Sequence, residues 1–167
     1  MLKTIRNRRS IRKYLDEPVP KEKLDTLLMS AMQAPSARNT QPWEFVVTQK
    51  REILKRIPDI HPYAKMVPTA GAVILVCGNM ELQSEIGYIV EDCSAAVQNI
   101  LLEAVNQNLG AVWLGIYPRP ERMEGVSSLF KLPEHVVPIA LVSVGVPGES
   151  KDFDDRYREK KVHLDCW

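Results

Sequence analysis

Apolar positions along this chain switch repeatedly between helical and strand spacing. Leu24, Leu27, Leu28 and Ala31 recur at helical intervals, which predicts a helix beginning at Pro20 and ended by Pro35. Trp43 to Thr48 is rich in aromatic and β-branched residues and predicts a strand. A short helix is expected over Lys50 to Ile57, stopped by Pro58. Ala72 to Cys77 is a continuous apolar run between Gly71 and Gly78, the mark of a buried strand. The strongest pattern runs from about Ser84 to Leu109. Ile86, Ile89, Val90, Cys93, Val97, Ile100, Leu101, Ala104 and Val105 form one broad helical face, and Gly110 is placed to cap it. Ala111 to Ile116 predicts another buried strand, Arg119 to Phe130 a short helix, and Val136 to Val144 a third buried strand. The order of elements predicts a helix-covered sheet, α+β or α/β.

The tail, Pro147 to Trp167, is polar apart from Phe153, Tyr157, Val162, Leu164 and Trp167. Spaced apolar residues in a charged segment predict packing along a surface. No repeat or low-complexity linker divides the chain, and 167 residues suit one domain over 1–167 with a C-terminal extension of about 147–167.

Composition narrows the class. With 45% hydrophobic and 26% charged residues the chain is ordinary globular protein. A formal net charge of +1 provides no global field to recruit nucleic acid or a membrane surface. No apolar run is long enough to cross a bilayer, and Met1 to Lys13 lacks the apolar centre of a secretory signal. Cys77, Cys93 and Cys166 have no metal-ligand or CxxC spacing. They read as reduced thiols, the first two in the core and the third exposed, in a cytoplasmic protein.

Side chains for acid–base or nucleophilic catalysis are scarce. His61, His135 and His163 are scattered and read as surface or capping residues; no zinc, serine-hydrolase, Walker or dinucleotide motif is present. No catalytic residue and no metal site is assigned. Such a protein can borrow its chemistry from a cofactor. Three segments are candidates for holding one. Arg8-Arg9-Ser10-Ile11-Arg12-Lys13-Tyr14 can grip a phosphate through charge-assisted hydrogen bonds, or be a solvated basic patch. Ala34-Pro35-Ser36-Ala37-Arg38-Asn39-Thr40-Gln41-Pro42-Trp43 is built for an ordered loop with free amides, or is a structural connection. Gly110 to Pro118 puts a glycine near a strand end, where a ligand can approach the backbone, or is a core strand.

Taken together and in this order, RRSIRKY, APSARNTQPWEF and GAVWLGIYP, with VSVGVPG and RYREKK near the end, resemble the FMN-dependent nitroreductase family from Thr4 to about His163. The resemblance implies an α+β fold with a mainly antiparallel sheet flanked by helices. It also implies an intertwined homodimer, each C-terminal tail lying over the partner, and two FMN sites at the interface. Arg8, Arg9, Ser10 and Arg12 resemble the grip on the FMN phosphate, ribityl chain and pyrimidine edge. Pro35, Ser36 and Ala37 resemble the partner's loop against the isoalloxazine, with Asn39 and Gln41 in the same motif. Leu114 and Gly115 resemble the residues whose backbone faces flavin N5. Arg156 and Arg158 resemble C-terminal phosphate contacts, and Lys65 a cation near the pyrimidine. The implied activity is ping-pong hydride transfer from NAD(P)H to small-molecule electron acceptors such as nitroaromatics, quinones, activated alkenes or free flavins. The substrate lid of larger members is minimal here, because Cys77-Gly78-Asn79-Met80 runs almost directly into the long helix. An FMN-binding sensor or storage module is one alternative. A nucleic-acid or partner-binding domain using the basic patch is another.

Overall fold

The computed structural model describes residues 1–167. Its elements are α1 (Lys3–Asn7), α2 (Lys21–Ala31), β1 (Trp43–Thr48), α3 (Arg51–Leu54) and α4 (Ile57–Ile60), then β2 (Ala72–Asn79), α5 (Ile86–Asn106), β3 (Gly110–Gly115), α6 (Pro120–Phe130) and β4 (Val136–Gly145). The strands form one sheet in the order β1-β2-β4-β3, every neighbouring pair antiparallel. The fold is therefore α+β.

The continuous apolar runs of β2 and β4 follow from burial on both faces of the sheet. Ile74 and Val76 of β2, with Ala140 and Val142 of β4, join Leu24 and Leu27 of α2 and Ile89, Cys93, Val97 and Ile100 of α5 in one core. Their strand neighbours Val73, Leu75, Cys77 and Leu141 point the other way. They pack with Leu54 of α3, Ile57 of α4 and Val126 and Leu129 of α6 in a second core. Alternate side chains thus serve different layers, and a polar residue on either face would be buried. A single glycine sets how closely α5 lies on the sheet: a Cβ on Gly78 would sit only 2.0 Å from Ile89 Cγ2. Pro138 is tolerated inside β4 because the ladder shifts register between Val76 and Cys77, opposite it.

Several boundaries differ from expectation. Pro20 caps α2 rather than opening it, and α2 stops four residues short of Pro35. The expected helix over 50–57 is two single turns, and Pro58 lies in the first turn of the second. The missing proline N–H is harmless there. Gly110 opens β3 instead of capping α5; Asn108 takes the left-handed turn, at φ 58°. The α1 turn has no apolar periodicity and no buried residue, so its sequence carries no signal.

The segment after α1 is tied to the sheet. Ser10 bridges Ala111 in parallel, Ile11 N–H donates to the Ala111 carbonyl (3.0 Å), and Leu15 N–H donates to the Val146 carbonyl (2.9 Å). The buried Tyr14 hydroxyl lies 2.9 Å from the Ile11 carbonyl and 3.2 Å from that of Ser143, and burial pushes its pKa up to about 12. Tyr14→Phe is expected to destabilise the fold by about 1 kcal/mol, the net worth of a buried hydrogen bond. A urea melt reads it, and an unchanged midpoint would mean that the hydroxyl does not anchor the segment. Beyond Ser150 the chain has one 3₁₀ turn, Glu159–Lys161, and every residue is exposed. Leu164 and Trp167 are 81% and 100% exposed, so in one chain the tail's apolar residues find no core. Cys77 and Cys93 are buried and Cys166 exposed, as expected. No helix is long and apolar enough to cross a membrane.

Candidate functional site

Residues 8–10 follow the α1 turn and meet the edge of β3, while the tail returns over them. Arg8, Arg9, Ser10, Trp113 and Arg156 line a cleft of about 540 Å³, with Asp154 and Asp155 at its rim. Two of its guanidiniums are occupied. Arg9 donates from Nε to the Asp152 carbonyl (2.7 Å) and from Nη1 to the Arg8 carbonyl (2.6 Å), and Arg156 pairs with Asp154 at 2.9 Å. Phe153 lies beneath Arg6 and Arg9, at 5.0 and 5.5 Å from ring centre to guanidinium carbon. Arg8 has neither a carboxylate nor a hydrogen-bond acceptor. Burial, then Arg156, then Arg9 pull its pKa below the ordinary guanidinium value. A half-buried cation facing two like charges is stabilised by a multiply charged anion. This donor set fits a phosphate.

A second cleft, about 590 Å³, is lined by Arg12, Pro62, Tyr63, Lys65 and Met66. Arg12 and Lys65 thus share one cleft although 53 residues of sequence separate them. The Arg12 backbone N–H is held by Glu149 Oε1 at 2.6 Å.

The end of β3 bears on the same question. Ile116 N–H donates to the Ile139 carbonyl of β4. In an antiparallel pair the bonded residues alternate. Ala111, Trp113 and Gly115 therefore turn their N–H and C=O groups toward the open edge of the sheet. Ile11 takes the Ala111 carbonyl, while His61 Nε2 and Arg122 Nη1 take the Gly115 carbonyl at 3.1 and 2.9 Å. A Cβ on Gly115 would meet nothing within 4 Å, so this backbone borders open space. Leu114 is buried in the second core. A flat ring lying at this edge would find the Gly115 N–H aimed at it. The residues present fit a flavin mononucleotide in both respects, a phosphate grip and a bare amide edge.

His61 corrects the expectation of a surface role, although it does stand at the C-terminal cap of α4. It is 2% exposed, and its Nδ1 accepts from Tyr63 N–H at 3.2 Å. That acceptor role puts the ring proton on Nε2, which donates to Gly115. Burial, then Arg122, lowers its pKa. The signal for it was weak: one histidine in the HPYAK stretch, far in sequence from the glycine it touches.

The Pro35–Gln41 loop is ordered and strained. Arg38, Asn39 and Gln41 have φ of 53°, 57° and 49°. Left-handed backbone at non-glycine residues costs on the order of 1 kcal/mol or more each and persists only where the surroundings impose it. Ala37 N–H donates to Asp92 Oδ1 (2.9 Å), Gln41 N–H to Ser36 Oγ (2.9 Å), and Gln41 Nε2 to Asn39 Oδ1 (2.9 Å). Asp92, on the buried face of α5, was not singled out from sequence. Its Oδ2 and the Thr40 hydroxyl are buried without partners. None of residues 35–41 lines either cleft of the same chain. Arg158 also stays outside, donating to the Asp155 and Tyr157 carbonyls.

A sequence profile described as the nitroreductase family matches residues 5–61 and 61–146. A Methanothermobacter thermautotrophicus protein, provisionally named an NADH dehydrogenase/NAD(P)H nitroreductase, is 46% identical over 167 residues, covering 100% of this chain and 87% of its own. An FMN-dependent nitroreductase from Clostridium difficile superposes with a TM-score of 0.92 at 28% identity, covering 100% of both chains. A provisionally named nitroreductase from Desulfovibrio desulfuricans, solved in complex with FMN, superposes with a TM-score of 0.82 at 30% identity, covering 96% of this chain and 93% of that one.

Proposed function

The chain belongs to the nitroreductase family, and from that premise we propose that it is an FMN-dependent NAD(P)H oxidoreductase that reduces small electrophilic acceptors. The observation that carries the reading is Arg8, a desolvated cation without a counterion beside Arg9 and Arg156. The phosphate is held by Arg8, Arg9, Ser10 and Arg156. Arg158 joins them only if it releases its two carbonyls. Arg12 and Lys65 face the pyrimidine edge, where their charge favours an anionic reduced ring. Leu114 and Gly115 present backbone to the hydride-accepting edge. When bound, FMN supplies two-electron chemistry, taking hydride from NAD(P)H and passing it in a second half-reaction to a nitroaromatic, quinone or activated alkene.

Two features support a homodimer with composite sites. The Ser36 loop (Pro35, Ser36, Ala37, Asn39 and Gln41) is preformed but lines neither of its own chain's two clefts, and the tail leaves Tyr157, Val162, Leu164 and Trp167 exposed. Pairing two chains would let each loop and tail complete the other's site. An obligate interface of this kind buries more than about 2,000 Å².

The purified protein is expected to be yellow, to release FMN rather than FAD in acid, and to bleach with NAD(P)H under anaerobic conditions. Colour should return on adding a nitroaromatic or quinone. Slow bleaching without acceptor-dependent turnover would favour a sensor or storage role, and recovery of FAD would overturn the assignment. Mixed dimers of one chain altered at Arg12 and one altered at Ser36 should retain one intact site in two. An active, flavin-loaded monomer would rule out the composite site.

A further inference from the structure

The proposed chemistry leaves one converging group unexplained. His61, at the end of α4, and Arg122, in the first turn of α6, come from two helices packed against each other to meet at one acceptor, the Gly115 carbonyl. A strand-end carbonyl at an open edge needs no side chain, since water satisfies it. Here two donors take both its lone pairs. The 3.2 Å approach of Arg122 Nη1 to His61 Nε2 is the contact of two donors sharing that oxygen. Arg122 has no carboxylate partner; its guanidinium carbon stands 5.9 Å from the centre of the Tyr63 ring. His61 is fixed in turn by Tyr63 N–H. Gly115 itself lacks a side chain to hold its peptide planes, and the space beside it is open.

We infer that His61 and Arg122 are positioning residues: by gripping the Gly115 carbonyl they fix the end of β3 so that the Gly115 N–H stays aimed at the bound ring, and Arg122 adds an unneutralised positive charge next to it. The inference rests on the FMN reading above. The clamp acts on direction, because N–H and C=O of one strand residue point to the same side and turn together. It also acts on charge. A cation this close, in a half-buried setting, favours the form of the ring that carries more negative charge, which is the reduced one.

The test uses the flavin-loaded protein. Arg122→Gln keeps a donor and loses the charge; His61→Leu loses its donor; His61→Gln restores one through its amide. The readouts are the midpoint potential of the bound flavin, its dissociation constant, and the rate of flavin reduction by NAD(P)H. Arg122→Gln should make the potential more negative and slow reduction by roughly ten-fold, the effect of about 1.4 kcal/mol on the barrier. FMN affinity should change much less, since the phosphate grip is intact. His61→Leu should loosen the end of β3, so that the Ile116 amide, bonded to the Ile139 carbonyl at 3.1 Å, exchanges with deuterium faster in the FMN-free protein, and His61→Gln should restore its protection. If His61→Leu fails to fold, Arg122→Gln still reads the potential and Arg122→Leu the amide exchange. Unchanged potential and unchanged amide exchange would overturn the inference. A wild-type protein that binds no FMN would instead overturn the reading beneath it, and the exchange measurement separates the two.

Discussion

Arg8→Gln is expected to weaken FMN binding by roughly ten-fold or more while leaving the FMN-free fold at least as stable as before. A charge-assisted hydrogen bond to phosphate is worth about 1.5–3 kcal/mol, and each ~1.4 kcal/mol is ten-fold in affinity. Arg8 is the place to look for the full effect, because nothing in the protein competes for it. Arg9 and Arg156 are already engaged by Asp152 and Asp154. Removing Arg8 also relieves repulsion from those two cations, so the apo-protein should not suffer. Arg12→Gln probes the other cleft and should weaken binding as well, with a larger change in flavin potential than Arg8→Gln, since the proposed reading puts it by the ring and not the phosphate. Titration of apo-protein followed by flavin fluorescence measures both. Unaltered affinity in Arg8→Gln would mean that the phosphate lies elsewhere and that the N-terminal cations are a solvated patch.

Gly78→Ala is expected to destabilise the protein by about 1–3 kcal/mol, the usual cost of forcing a methyl into a packed core. The added Cβ would sit 2.0 Å from Ile89 Cγ2 and 3.3 Å from Ile89 Cβ. The second contact is to the stem of the side chain, so rotation of Ile89 alone does not relieve it. The helix must lift, and Asp92, one turn further on, lifts with it. Its bond to Ala37 N–H would then stretch, so the Ser36 loop should loosen in parallel with the loss of stability. Guanidinium melts and hydrogen exchange at Ala37 check the two halves of the prediction. A stable Gly78→Ala protein with a protected Ala37 amide would show that α5 has slack at that point.

What the sequence made legible was set by how local each signal is. The apolar runs of β2, β3 and β4, the aromatic and β-branched run of β1 and the helical period of α5 survive without tertiary information, and each element lies within a few residues of its expected bounds. Pro58 misled because proline stops one helix and starts another with equal ease, and only the fold decides which. Gly110 misled because it is the first residue of β3, where a Cβ would strike Ile11, far back near the start of the chain. The Arg8–Ser10 cluster was legible as a run of cations. Its meeting with Arg156 depends on the tail's return across 146 residues and has no local signature. His61, Arg122 and Asp92 are single residues whose partners are backbone carbonyl or amide groups of other elements. A backbone partner leaves no mark in the sequence, so such contacts cannot be read from it.

The bonded attachment of residues 10–15 to β3 and β4 has a consequence for how the protein can be handled. β3 is an outer strand, and its outward-facing peptide groups would otherwise be free to recruit a strand from another molecule. The N-terminal segment occupies the start of that edge at Ala111. Trimming the chain up to Tyr14, or fusing a bulky tag that pulls the segment away, would uncover the Ala111 peptide groups and lengthen the open edge of a strand whose side chains are almost all apolar. Loss of soluble protein through sheet-to-sheet association would follow, even with both cores untouched. The first residues of the chain thus serve as a guard against self-association.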